Sequence, residues 1–437
     1  MDKKKIAVHT YGCKLNYAET SAIMRSLSPE HYDIIDFREK ADIYVIHSCA
    51  VTSAAEKKCR QGIRQARKKN PAAAVVVLGC YGQLRPQELR VQGMADLVLG
   101  NREKYRLGHY LEQLDTGLTV TDDALTVAGE GSFIPSWSLA DRTRSFLKIQ
   151  DGCDYFCSYC TVPLARGRSR SATVKEVLTA ARDIAGAGVK EIVLTGVNIG
   201  DFGRHHDTTL LHLMKEMDSM EGIERIRISS IEPDLLSDAM VHFTASSRRF
   251  MPHFHIPLQS ASDPVLAAMH RHYRSSDFAG RVSLIRKVMP DSCIAVDIIA
   301  GFPGETEEHF METFRFLSDK DISYAHVFSY SQRPGTAAAK LPDQVAPGTI
   351  KERSERLHDL SAQKKRAFYK KNHRHLTRVL FESDPCKDHL FGFTENYIRV
   401  RTPYDERLIN KIVPVVLNDM DGEGNYVYKG LPQGKVD

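Results

Sequence analysis

The chain has 437 residues, more than one ordinary core accommodates, which predicts two or three domains. Hydrophobic residues make up 42% and charged residues 26%, the proportions of a soluble globular protein, and no segment is long and apolar enough to cross a bilayer. A net charge of +5 is too small to name a partner by itself, whereas nine cysteines, an odd count in a long chain, argue against a disulfide framework and for thiolate metal ligands in a reducing, cytoplasmic compartment.

Lys3, Lys4 and Lys5 precede an apolar stretch of strand length with no small-residue cleavage site, which does not read as a secretion signal. From there to about Asn101 apolar runs alternate with helical patterns: Ile6 to Val8, Asp42 to Ile46, Ala74 to Leu78 and Asp96 to Leu99 are predicted strands of a parallel α/β sheet. This gives a first domain over 1–103. Residues 104–140, rich in Gly, Thr and Asp and without a sustained period, read as a connector. The alternation resumes with strands at Phe146 to Gln150, Glu191 to Val197, Arg225 to Ile231, His253 to Leu258, Ile294 to Ala300 and Tyr324 to Tyr330. Between them Val174 to Ala187, Leu210 to Met217, Phe278 to Val288 and Glu307 to Leu317 have helical spacing, so a partial (β/α)6 barrel is predicted over 141–372, ending in a charged helix from Ile350 to Asn372. The remainder, 373–437, reads as a small all-β module with strands at Arg378 to Glu382, Tyr397 to Thr402, Lys411 to Leu417 and Tyr426 to Lys429.

Cys153, Cys157 and Cys160 follow the first barrel strand in Asp-Gly-Cys-Asp-Tyr-Phe-Cys-Ser-Tyr-Cys, at the end of a barrel strand where active sites are built. Three thiolates on a cube of four irons leave one iron open, and an open iron can bind a substrate through amino and carboxylate groups. Zinc sites more often pair two Cys-x-x-Cys knuckles, and the sequence has no second knuckle. Cys13, Cys49 and Cys80 each directly follow a predicted strand, which puts three more thiols at the carboxyl edge of one sheet, where open α/β sheets hold ligands. Cys59, Cys293 and Cys386 stand away from both trios and read as core or incidental surface thiols.

Small and polar residues cluster at other strand ends: Gly196, Val197 and Asn198, then Glu232, then Gln259 and Ser260, then Gly301 to Glu305. Each is a possible ligand contact, and each is equally compatible with an ordinary turn. Basic residues load the helical stretch Lys57 to Lys69, where a solvated face explains them as well as RNA does. Arg166, Arg168 and Arg170 lie just after the second cysteine trio and read as phosphate contacts, and Arg378, Arg399 and Arg401 with Tyr397 give the β module a surface usable for RNA.

The spacing Cys-x3-Cys-x2-Cys after a first barrel strand resembles the radical S-adenosylmethionine signature. Thr10 to Asn16, Cys49, Cys80, Arg166 to Ser171, His255 to Ser260 and Gly301 to Thr306 together resemble the methylthiotransferases, in order and over nearly the whole chain. The forms Gly-Cys-Lys-Leu-Asn and Arg-Gly-Arg-Ser-Arg-Ser resemble the branch acting on threonylcarbamoyladenosine beside the tRNA anticodon, and the tail resembles a TRAM domain. The resemblance implies two [4Fe-4S] clusters and S-adenosylmethionine as cofactors, with the cluster on Cys153, Cys157 and Cys160 cleaving S-adenosylmethionine to a 5′-deoxyadenosyl radical. The cluster on Cys13, Cys49 and Cys80 then carries the sulfur that is methylated and delivered. The same resemblance puts Tyr159, Gly196, Val197, Asn198, Gln259 and Ser260 around S-adenosylmethionine, with a tRNA anticodon stem-loop as partner and a reductant such as flavodoxin as electron source. Where many relatives have Gln-Ser-Gly-Ser, this chain has Gln-Ser-Ala-Ser from Gln259 to Ser262. Two rival readings remain at this point: the same chemistry on a ribosomal-protein aspartate or an isopentenyl-type adenosine, and a zinc-stabilised RNA-binding protein that is not an enzyme.

Overall fold

The computed structural model describes residues 3–91, 93–115, 133–139, 143–383 and 388–429. Cys386, residues 430–437 of the β module, and 116–132 and 140 of the connector lie outside the described residues.

The N-terminal strands β1 (Lys4–Thr10), β2 (Tyr32–Ile35), β3 (Ile43–Ser48), β4 (Ala74–Gly79) and β5 (Leu97–Leu99) form a parallel sheet in the order β2-β1-β3-β4-β5. Alternation along β3 sends Tyr44 and Ile46 to one face and Ile43 and Val45 to the other, and both faces are covered. The helix Ser53–Lys69 brings Cys59, Ile63 and Ala66 to the first, while Lys14–Arg25 and Leu107–Asp115 cover the second with Ile23, Met24, Leu107 and Leu111. Residues 104–115, read above as connector, are thus part of this core. Leu107, Tyr110 and Leu111 have the i, i+3, i+4 spacing of a buried helix face. The edge strand β2 has no counterpart in the sequence reading, because Asp33 and Ile34 face solvent and break the apolar run.

The central unit begins with β6 (Ser136–Trp137), β7 (Arg144–Lys148), β8 (Gln150–Asp151) and β9 (Arg170–Ser171), and continues through β10 (Glu191–Thr195), β11 (Arg225–Ile228), β12 (His253–Gln259), β13 (Cys293–Ala300) and β14 (Tyr324–Ser329). β7, β10 and β11 pair in parallel, as do β12, β13 and β14, and bridges from Ile226 to Phe250 and Ser230 to His255 join the two groups. Six parallel strands in chain order make the partial barrel. Its outer layer includes the helices Val174–Gly186, Leu210–Asp218, Ser275–Val288 and Glu307–Asp319. Two edges are covered: β6 runs antiparallel along β7, and the helix Pro347–Lys371 lies along β14, where Ser361 Oγ accepts from Ala325 N and donates to Ala325 O.

The C-terminal strands β15 (Leu376–Glu382), β16 (His389–Thr394), β17 (Arg399–Pro403), β18 (Ile412–Val416), β19 (Asp419–Met420) and β20 (Tyr426–Val427) form one sheet in the order β18-β15-β16-β17-β20-β19. β16 escaped the sequence reading because Gly392 interrupts its apolar pattern. Arg225 and Arg227, fully buried at the barrel rim, dock this sheet. Arg225 donates to Phe393 O and Arg378 O, and Arg227 to Glu395 O and Thr394 O. Cys293 is buried in the same seam.

Candidate active site

Cys13, Cys49 and Cys80 sit at the carboxyl ends of β1, β3 and β4, which are adjacent in the sheet, so the parallel register brings the three thiols to one edge. Polar staples tie their loops together. Asn16 Nδ2 donates to Tyr11 O (2.9 Å) and Ser48 O (3.1 Å), while the Ser48 hydroxyl donates to Leu78 O and accepts from Tyr81 N (3.1 Å). Gly12, at φ +122°, admits this closeness: a Cβ there would lie 2.9 Å from Cys49 Cβ. Asn101 Nδ2 donates to Cys80 Sγ (3.6 Å) and to Ala165 O (2.9 Å) of the barrel.

Cys153, Cys157 and Cys160 occupy the loop between β8 and the helix Val162–Arg166, which left-handed residues at Gly152 (φ +69°) and Phe156 (φ +49°) fold back on itself. Each sulfur accepts a hydrogen bond: Cys153 from Tyr155 N (3.5 Å), Cys160 from Val162 N (3.4 Å) and Cys157 from Arg271 Nη1 (3.2 Å), with Tyr159 as a further partner of Cys157. Arg271 is in turn ion-paired to Glu232. It was invisible in the sequence, since one arginine in His-Arg-His-Tyr-Arg carries no spacing that ties it to a cysteine over a hundred residues away.

Burial pushes the thiols of Cys49, Cys153 and Cys160 up to about 12. Cys80 and Cys13 add to the effect on Cys49, as Cys160 and Cys157 do on Cys153, so each trio is near enough to act on itself electrostatically. Among the described residues no three His, Cys, Asp or Glu side chains are set to hold a single metal ion. Two trios of sulfurs, three of them hydrogen-bonded in the barrel loop, are a donor set suited to iron–sulfur clusters, which take thiolates and tolerate hydrogen bonds to them.

A cavity of about 640 Å3 opens between the two units. Cys13, Lys14 and Tyr17 form its N-terminal wall, Gly196, Ser229, His255 and Asp297 its barrel wall, and Tyr397 closes it from the C-terminal sheet. A smaller cavity of about 230 Å3 shares Asp297 and Phe328 with it and reaches Tyr159 and Gln259. Gly196 thus lines the larger cavity and Tyr159 and Gln259 the neighbouring one, and Ser229 Oγ, of a residue in the wall of the larger cavity, is a buried hydroxyl with no partner among the described residues.

Other sequence candidates are placed differently. Val197 and Asn198 donate their backbone N–H groups to Gln150 Oε1, and the Asn198 side chain is buried against Asp201, its Oδ1 without a partner. Ser260 is buried with its hydroxyl on Thr313, so its side chain packs and does not line the cavity. Glu232 is ion-paired to Arg271 and lies near enough to Cys153, Cys157 and Cys160 to raise their thiols electrostatically. Arg166 is not a phosphate contact: it is 3% exposed and held between Glu19, Asp151 and Asn16 Oδ1. Arg170 is mostly committed too, to Asp151 and to Arg166 O and Arg168 O. Arg168 alone of the three projects outward, its guanidinium 4.6 Å from the centre of the exposed Phe156 ring. Arg399 lies half-buried over Phe391 at 3.5 Å.

Residues 147–317 match the Radical SAM superfamily, and residues 5–100 match Uncharacterized protein family UPF0004. Over 94% of its length the chain is 38% identical to the threonylcarbamoyladenosine tRNA methylthiotransferase MtaB of Bacillus subtilis, spanning 93% of that protein. This chain belongs to the tRNA methylthiotransferase family. The methylthiotransferase is also 36% identical to the MtaB protein of Aquifex aeolicus, over 94% of this chain and 100% of that one. It is 32% identical to the tRNA-2-methylthio-N(6)-dimethylallyladenosine synthase of Jannaschia sp., over 87% and 84%. Its fold is shared with the radical S-adenosylmethionine methyltransferase TsrM from Kitasatospora setae, at a TM-score of 0.56 and 14% identity over 77% of each chain. The enzyme is a radical S-adenosylmethionine methylthiotransferase, and its cofactors are S-adenosylmethionine and [4Fe-4S] clusters. The zinc-binding, non-enzymatic reading is thereby replaced.

Proposed function

We propose that this methylthiotransferase converts N6-threonylcarbamoyladenosine at position 37 of tRNA, beside the anticodon, to its 2-methylthio derivative in the cytoplasm. The observation that carries this reading is the cavity in which Cys13 of one thiol trio faces the ends of the barrel strands. Relatives with the threonylcarbamoyladenosine name support the substrate at 38% and 36% identity. Cys13, Cys49 and Cys80 would hold one cluster and Cys153, Cys157 and Cys160 the other, with S-adenosylmethionine near Tyr159, Gly196 and Gln259. When bound, these cofactors supply the radical that breaks an unactivated C–H bond and the sulfur and methyl that replace the hydrogen.

The chain's own residues position and protect. Arg271 supports the Cys157 sulfur, and Asn101 the Cys80 sulfur while it also grips the barrel at Ala165. His255, whose Nε2 is held by Asp297 Oδ1 at 2.8 Å, is fixed in the cavity wall beside the place the base would take. Tyr397 and Phe328 line the cavity and would pack against the base. The anticodon stem-loop would lie across the cavity mouth, with Arg168 and the Phe156 ring, and Arg399 on the TRAM-like sheet, as backbone and stacking contacts. Electrons would come from a reductant such as flavodoxin. Nucleoside digests of tRNA from a strain lacking the gene test the reading: the methylthio form of threonylcarbamoyladenosine should vanish and the unmodified form accumulate. If that methylthio form persists, the substrate is another one.

A further inference from the structure

Lys14 is the first residue of the helix Lys14–Arg25, next to Cys13, and it lines the 640 Å3 cavity. A cation in the first turn of a helix opposes the helix dipole, and no acidic residue in that turn offsets it. The charged or ionisable groups that act on it most are Tyr397, Arg144, Arg227 and Cys13, none of them a carboxylate. Other charges around the cavity are already matched. Arg144 is paired with Glu382 and Glu191, and Asp297, the acid in the cavity wall, is bonded to His255. Among the described residues no ion pair or hydrogen bond is recorded for the Lys14 ammonium, and His253 Nδ1, also in the wall and 93% buried, has no partner either. A half-buried cation in the wall of a cavity, with no partner among the described residues, calls for an anionic ligand there.

We propose that Lys14 binds the carboxylate of the threonylcarbamoyl group and so selects an anionic N6 substituent over an apolar one. The inference rests on the substrate reading above and adds the residue that enforces it. A volume of about 640 Å3 is of the size that encloses a nucleoside with such a substituent. The lysine carries specificity because an apolar N6 group would offer the half-buried ammonium no hydrogen-bond partner, and a missing partner costs more than a poor one.

The test uses the cluster-loaded enzyme and two synthetic anticodon stem-loops. One carries threonylcarbamoyladenosine at position 37, the other the same nucleoside with its carboxylate converted to a methylamide. A charge-assisted hydrogen bond predicts that the wild-type enzyme binds the acid form about ten- to a hundredfold more tightly than the amide. Lys14→Met should bind both alike, at the amide's affinity, while Lys14→Arg, which keeps the charge, should retain most of the preference. Iron per chain, measured for each variant, separates a lost contact from a lost cluster at Cys13. A Lys14→Met enzyme that keeps its full preference, a wild-type enzyme that has none, or a Lys14→Arg enzyme that loses it with iron intact would each overturn the proposal. The substrate reading is judged separately, by whether the wild-type enzyme converts the acid loop to its methylthio product at all.

Discussion

Arg166 of the barrel and Glu19 of the first helix meet through two parallel hydrogen bonds, Nη1 to Oε1 at 2.9 Å and Nη2 to Oε2 at 3.0 Å, with both side chains buried. Glu19 also receives Lys104 and Lys148, and Arg166 also reaches Asp151, so the seam between the N-terminal sheet and the barrel is a buried network of fixed charges. Arg166 Nη2 further donates to Asn16 Oδ1, the side chain that staples the loops of Cys13 and Cys49. The network thus links the seam to one thiol trio.

Without Arg166, Glu19 would keep Lys104 and Lys148, and Asp151 would keep Lys148 and Arg170, but their oxygens and Asn16 Oδ1 would lose buried charge-assisted hydrogen bonds. Arg166→Leu should therefore cost about 2–3 kcal/mol. Chemical denaturation of wild type and variant checks this, and a difference below about 1 kcal/mol would mean that the seam relaxes around the loss.

The same network makes stability depend on pH with a definite sign. Three cations, Arg166 foremost, hold the Glu19 carboxyl well below the usual range against the opposing effect of burial, and Lys148 and Arg166 do the same for Asp151. Carboxylates with depressed folded values contribute fully above their unfolded values near pH ~4 and lose that contribution as pH falls through the folded ones. Denaturation midpoints should therefore drop steeply below about pH 4, and Glu19→Gln, already destabilised, should show a shallower drop.

The placement of the six thiols was legible because Cys153, Cys157 and Cys160 are close enough in sequence to share one loop, and because a cysteine directly after an apolar run marks a strand's end. Six parallel strands and their helices followed from the same periodicity. Arg271, Asn101 and Glu19 were not legible. Each acts through one contact made across a long stretch of sequence, and Glu19 is an ordinary helix residue until Lys104, Lys148 and Arg166 surround it. Arg166 shows the converse error: a basic run beside a metal motif looked like one phosphate-binding surface, yet position along the turn buries Arg166 and exposes Arg168.

The two trios should load iron independently. Cys157→Ala should lower iron from about eight to about four per chain and abolish 5′-deoxyadenosine formation, whereas Cys80→Ala should lower iron equally but leave cleavage of S-adenosylmethionine in place. Cleavage that survives Cys157→Ala would reverse the assignment of the two sites.

Arg168 is the exposed member of its group, so Arg168→Ala should weaken tRNA binding uniformly across sequences and reduce the salt slope of log K by about 1. Measuring affinity at several salt concentrations checks it. An unchanged slope would leave Arg168 as a cover for Phe156 and nothing more.

Gly152 gives the sharpest test of the barrel loop. Its φ of +69° alone would cost another residue about 1 kcal/mol or more, a strain that any such glycine shares. Here space is also missing: a Cβ would fall 1.9 Å from Arg168 O and 2.6 Å from Arg168 C, which are backbone atoms that cannot swing away. Relief requires the strand end and the Cys153 loop to separate, which breaks the hydrogen bond from Cys153 N to Gly167 O (3.1 Å). Gly93 provides the control, with a φ of +61° and nothing within 4 Å of an added Cβ. Gly93→Ala should lose only the conformational increment and keep all of its iron. Gly152→Ala should lose about 3 kcal/mol or more and the iron of the second trio, with the N-terminal iron retained. Equal effects at the two glycines would show that backbone strain alone, and not the packing of Arg168 against the cysteine loop, sets the cost.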